Sequence, residues 1–162
     1  MTTAPSTVGT PAQAAVHDRV RELLTAAGRA LLAEQPSLQG FEDARPERDR
    51  PSGESAEGAP TLVHVSALLA ARRAPDPSPA AADALVRAVD VVARRRRSAP
   101  GTSRTRHGIR HVVWELEDGD RLELVLGVRA ALRVISAPFL PSPEDAAPTS
   151  PAGELSPRAP SR

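Results

Sequence analysis

The stretch RHVVWELEDGDRLELVLGVRAALRVIS, residues 110–136, alternates apolar and polar side chains around an Asp118-Gly119 turn signal and reads as a β-meander. Strand side chains alternate with period two. Val112, Trp114 and Leu116 therefore share one face, as do Leu122, Leu124 and Leu126 on the next strand. A two-residue Asp118-Gly119 loop would oppose Trp114 to Glu123 and mix the faces. A three-residue loop, Glu117-Asp118-Gly119, with Gly119 in the left-handed conformation, instead pairs Trp114 with Leu122, Val112 with Leu124 and Glu115 with Arg121. Sliding the pairing by two would set Glu115 against Glu123, an unfavourable like-charge pair. Past Gly127-Val128-Arg129 the third strand could face inward with Leu132 and Val134 or with Ala131, Arg133 and Ile135. Apolarity favours the first set.

Working outward, Pro11 suits the first position of a helix that Thr10 caps, with Gln13 completing a capping box. Val16, Val20, Leu23, Ala27 and Leu31 make one apolar stripe to about Glu34, and the Gln35-Pro36 step ends it. A second helix starts at Ser78-Pro79 and runs to about Arg97. Leu85, Val89 and Val92 form its stripe, widened by Val86 and Val91, so it is expected to be the more deeply buried helix unless it binds something. Between the helices, Leu62 to Leu69 alternates as a strand, although Leu68 to Arg73 also contains good helix formers. Three segments lack the bulky apolar side chains needed to offset backbone entropy of about 1–2 kcal/mol per ordered residue. They are residues 1–9, the insertion 36–60 and the Pro/Ser/Ala-rich tail 138–162. The expectation is a single α+β domain over residues 10–137. A small antiparallel sheet, made of the meander and a strand near 62–69, would carry two helices on one face, with a long disordered insertion and disordered tails.

Composition bounds the chemistry. The 162 residues include 17 Pro and no Cys, and all 21 basic residues are Arg against 20 acidic ones, for a net charge of +1. Without cysteine there is no disulfide framework, thiolate metal site or catalytic thiol. Phosphate-loop, dinucleotide-loop, serine-hydrolase-elbow and zinc-protease patterns are absent, so no catalytic, cofactor-binding or metal residue is assigned and no enzyme is expected. No apolar run approaches the roughly 18–20 residues of a membrane span, and the chain is expected to be cytoplasmic.

Two groups of residues could carry function. Arg94, Arg95, Arg96, Arg97, Arg104, Arg106 and Arg110 gather with His107 and His111 in a stretch free of acids. Such a cluster could neutralise nucleic-acid phosphates or meet an acidic protein. Cations also collect at helix C-termini for electrostatic reasons alone, and that explanation is favoured. With aromatic content of 2% a single-strand stacking platform has no residues to use. A metal pair at His107 and His111 would need a helix, which Gly108 disfavours; on a strand the two sit roughly 13 Å apart. His17 and His64 look isolated. The second group is the outward face of the meander, Val113, Glu115, Arg121, Glu123, Val125, Arg133 and Ile135, whose mixed apolar and charged character suits a protein partner or a homodimer. Its carboxylates are expected to be solvated and paired to Arg121. The leading expectation is a non-enzymatic protein-interaction or accessory domain. A nucleic-acid-binding accessory protein is the alternative, and an enzyme using His107, His111 and Glu115 is the third.

Overall fold

The computed structural model describes residues 12–143. Its spine is the meander, and the register is the one derived above. Strand β6 (Ile109–Glu115) pairs with β7 (Arg121–Leu126) through Trp114↔Leu122, Val112↔Leu124 and Glu115↔Arg121. Leu116 N–H donates to Asp120 O at 2.8 Å, which closes a loop of Glu117, Asp118 and Gly119, and Gly119 has φ +83°. Strand β8 (Ala130–Ile135) continues through Leu122↔Val134 and Leu124↔Leu132. Leu132 and Val134 are buried, as apolarity required.

The sheet is larger than the sequence pattern indicated, with eight strands among the described residues in an open antiparallel arrangement. The segment 36–60, expected to be a disordered insertion, is ordered. It forms a short 3-10 turn (Pro36–Leu38), β1 (Phe41–Arg45), β2 (Arg48–Ala56) and the start of β3 (Ala59–Val65). Strand β1 pairs with β4 (Leu68–Ala71), and β2 pairs with β3 through a turn at Glu57-Gly58 whose two residues both have positive φ. These strands escape a periodicity test because they are mostly exposed and carry charges or Pro51 where a buried strand would carry Val or Ile. Backbone pairing to a better-buried neighbour holds them. The single strand expected at 62–69 is two strands, β3 and β4, interrupted at Ser66-Ala67, and both pair with β8. At the interruption, buried serine hydroxyls enter the ladder: Val134 N–H donates to Ser66 Oγ and His64 N–H to Ser136 Oγ, each at 2.9 Å. The arginine-rich segment holds a further strand, β5 (Thr102–Arg106), at one edge of the sheet beside β6.

Both helices pack on one face. In α1 (Gln13–Glu34) the whole expected stripe, Val16, Val20, Leu23, Ala27 and Leu31, is buried. The expected capping box is corrected: Ala12 stands at the cap with no side-chain cap bond, and Gln13 instead bonds Asp49 and Ser142. Residues 1–9, Thr10 and Pro11 lie outside the described residues. In α2 (Pro79–Arg95) Ser78 Oγ accepts from Ala81 N–H as the cap; Leu85, Val89 and Ala93 are buried, whereas Val91 is 52% exposed. The first helix, not the second, is therefore the deeper one. It is the longer helix, 22 residues against 17, and buries seven residues against α2, β3 and β8, whereas α2 buries three. The tail is corrected in part. Phe139 is fully buried, and it exchanges two 2.8 Å backbone hydrogen bonds with Leu62. Residues 144–162 lie outside the described residues.

Candidate functional site

Because the helices take one face of the sheet, the other is left to solvent, and the register dictates what it displays. One row across it reads Thr102, Val113, Glu123, Arg133; the next reads Arg104, His111, Val125, Ala131; a third reads Glu115, Arg121, Ile135. All seven face residues picked from the sequence fall in these rows. Val113, Val125, Arg133 and Ile135 are half-buried, and Glu115 and Arg121 are exposed.

Glu123 departs from the expectation of a solvated carboxylate. It is 4% exposed at the middle of the open face, beneath neighbouring side-chain stems. Arg133 Nε donates to Glu123 Oε2 at 2.5 Å, with His111 Nε2 at 3.7 Å and Arg121 Nη1 at 3.8 Å. Its chief partner is thus Arg133, while Arg121 Nε donates to Glu115 at 2.9 Å. His111 Nε2 is buried and has no hydrogen-bond partner among the described residues. Thr102, Arg104, His111, Val113, Glu115, Arg121 and Glu123 line a shallow depression of about 310 Å³. Chemically this is a surface of apolar spots set among oriented charges.

The arginine cluster is dispersed by the fold. Arg94 pairs with Asp90 at 2.6 Å, Arg96 with Glu22 at 3.3 Å, Arg97 with Glu117 at 3.3 Å and Arg110 with Asp83 at 2.5 Å. The acids come from other elements or from the preceding turn of α2, which is why the local sequence looked acid-free. Arg95 ends α2, and Arg104 and Arg106 stand exposed on edge strand β5. His107 sits with Gly108 in the two-residue turn between β5 and β6, both with positive φ, so no helical pair with His111 forms.

His17 and His64, apparently isolated in sequence, are brought together. Asp49 on β2 is the cross-strand partner of His64 on β3, and α1 lays His17 over both. His64 Nδ1 lies 2.6 Å from Asp49 Oδ1, and His17 Nε2 lies 3.1 Å from each Asp49 oxygen. The two imidazole centroids are 4.0 Å apart. No local pattern could have revealed this group, because its members are 32 and 15 residues apart along the chain. The one signal was that Gln13 and His17 share a helix face, and Gln13 Nε2 donates to Asp49 Oδ2 at 3.1 Å.

Comparison with known proteins adds the architecture. No family model matches this chain, and no curated protein matches it by sequence. The fold resembles that of a DUF4853 family protein. That crystal structure, from Actinomyces odontolyticus, superposes with a TM-score of 0.57 at 14% identity, covering 88% of this chain and 75% of the other. A second, described as the "putative lipoprotein LppA" from Mycobacterium tuberculosis, superposes with a TM-score of 0.56 at 10% identity, covering 81% and 79%. At these identities the likeness concerns the fold alone. No helix among the described residues is long and apolar enough to cross a membrane.

Proposed function

We propose that this chain is a non-enzymatic interaction domain whose open sheet face receives an acidic protein surface. The supporting observation is the uncovered face itself, where half-buried Val113, Val125 and Ile135 stand among charges. Its carboxylates, Glu115 and Glu123, are already engaged by Arg121 and Arg133, whereas Arg104 and Arg106 at the adjoining edge have no acid partner among the described residues. Mixed patches of this kind, with apolar spots set among charges, suit protein contacts. Nucleic-acid binding is the weaker reading, since four of the seven arginines are spent on internal pairs.

A photo-reactive phenylalanine placed at Val113, compared with one at Arg29 on the helix side, tests this in cells. A discrete adduct from position 113 only, lost on Arg104→Glu with Arg106→Glu, is the expected result. An adduct of twice the chain mass would make the partner a second copy. Equal adducts from both positions, or none, overturn the reading. Salt-sensitive binding of duplex DNA that weakens in the same double variant would replace it with the nucleic-acid one. For location we propose the cytoplasm; recovery in the envelope fraction would favour the setting that the description of the lipoprotein neighbour suggests.

A further inference from the structure

We propose that His17, Asp49 and His64 form a binding site for one divalent ion of the zinc class. The site stands on geometry that the interaction face does not use. His17 Nε2, His64 Nδ1 and an Asp49 oxygen, from three different elements, all lie within 4.8 Å of one another. In a tetrahedral site with bonds of about 2.0–2.1 Å, donor atoms stand about 3.4 Å apart. The nitrogen-to-oxygen separations of 2.6 and 3.1 Å therefore need to open by less than about 1 Å to admit an ion. Two imidazoles and one carboxylate are a donor set suited to zinc and its neighbours rather than to calcium or magnesium. Three protein ligands leave the fourth position to water.

The surroundings resemble the outer support of a metal centre more than a chance cluster. Asp49 Oδ2 is held by Gln13 Nε2, and Gln13 is fixed in turn because its Oε1 accepts from Ser142 N–H at 2.9 Å. On the far side of the His64 ring, Nε2 faces Glu47 Oε2 at 3.7 Å. At that separation Glu47 makes no hydrogen bond to the ring, but a small approach on metal binding would let it accept from Nε2 and leave Nδ1 to the metal, as carboxylates behind ligating histidines do. Arg21 lies 3.6 Å from Glu47 and pairs more closely with Asp18, at 3.1 Å, so its charge is directed to those carboxylates. His64 is almost fully buried, whereas His17 and Asp49 are about a quarter exposed, 26% and 23%, which gives an ion a way in. Each imidazole nitrogen gives its lone pair to the ion, and any proton that it carried passes to the buffer.

Equilibrium dialysis of the metal-free full chain against Zn²⁺ is the test, with Co²⁺ loading to read the geometry. One ion per chain and the visible absorption of tetrahedral Co²⁺ are expected. Asp49→Asn and His17→Gln, which keep size and polarity, should each weaken binding by more than about a hundredfold, beyond what loss of a supporting residue costs. Glu47→Gln should weaken it by about tenfold. Circular dichroism checks that each variant is folded, and Glu47 is exposed enough for its replacement to be benign. Uptake well below one ion per chain, or wild-type affinity in folded Asp49→Asn or His17→Gln, overturns the proposal.

Discussion

Arg19 on α1 grips Asp120, at the end of the β6–β7 loop, through two parallel hydrogen bonds of 2.7 and 2.8 Å that span 101 residues of sequence. Asp120 is fully buried and also accepts from Ala137 N–H at 2.9 Å. The pair ties the helix layer to the turn that sets the meander's register. Removing the guanidinium leaves a buried carboxylate without its charge partner. Arg19→Ala should therefore destabilise the fold by roughly 2–4 kcal/mol, the range for a broken buried pair discounted for the partial exposure of Arg19. Urea unfolding with an unchanged slope would measure it, and a loss below about 0.5 kcal/mol would place the pair with ordinary surface ion pairs.

Gly101 supports the core tryptophan by having no side chain. A methyl carbon there would stand 2.5 Å from Trp114 Nε1 and 2.7 Å from Trp114 Cε2. The indole cannot easily retreat, since it is fully buried and its N–H donates to Asp90 Oδ1 at 3.0 Å. Gly101→Ala should cost about 1–3 kcal/mol, as over-packed cores do. Trp114 reports the change directly. The wild-type emission should be blue-shifted and move red on unfolding, and the variant should reach that transition at lower urea.

Phe139 lies in the segment expected to be disordered, yet it is fully buried and stands edge-on to His17, 6.1 Å between ring centroids. Phe139→Ala should cost about 3–5 kcal/mol, the usual range for truncating a buried aromatic. Faster amide exchange at Leu62 should accompany the loss, because its N–H donates to Phe139 O. Wild-type stability in the variant would show that the packing of this segment contributes little.

Two exposed carboxyl groups are expected to contribute to the acid limb of stability. Asp76 is held below its ordinary value of 3.8 by hydrogen bonds from Ser78, first from its backbone N–H, and Asp83 is held below the same value by hydrogen bonding and charge attraction from Arg110. A lowered carboxyl contributes stability that is present above the unfolded value and is lost as pH falls through the folded one. Arg19, raised first by its hydrogen bond to Asp120, has the opposite sign, and its contribution is lost only in strong alkali. The contribution of Asp76 and Asp83 should therefore hold from neutrality to about pH 4 and fall below it. Urea midpoints at about pH 7, 4 and 3, which bracket the carboxyl range, would check this. Asp76→Asn with Asp83→Asn should flatten the acid limb, and an unchanged limb would assign it to other groups.

The alternation in residues 110–136 was sufficient by itself to indicate a three-stranded meander, the register of its first hairpin and the Gly119 turn, and to favour Leu132 and Val134 as the inward set, because a buried strand face must be apolar at every second position; the register of the third strand was left open by Gly127-Val128-Arg129 and was decided by the packed sheet. The stripe of α1 was legible for the same reason at helical spacing. Strands β1, β2 and β5 were not, since they are held by backbone bonds to a neighbour and bury few side chains, and backbone hydrogen bonding leaves no imprint on side-chain pattern. The candidate interaction face was legible as a list of seven residues, but only the packed sheet decided that Glu123 would be covered and engaged by Arg133. Tertiary structure alone decided which acids neutralise Arg96, Arg97 and Arg110, and that His17, Asp49 and His64 would meet. Such partners are chosen by the crossing of a helix over a hairpin, a long-range geometry that no window of sequence contains.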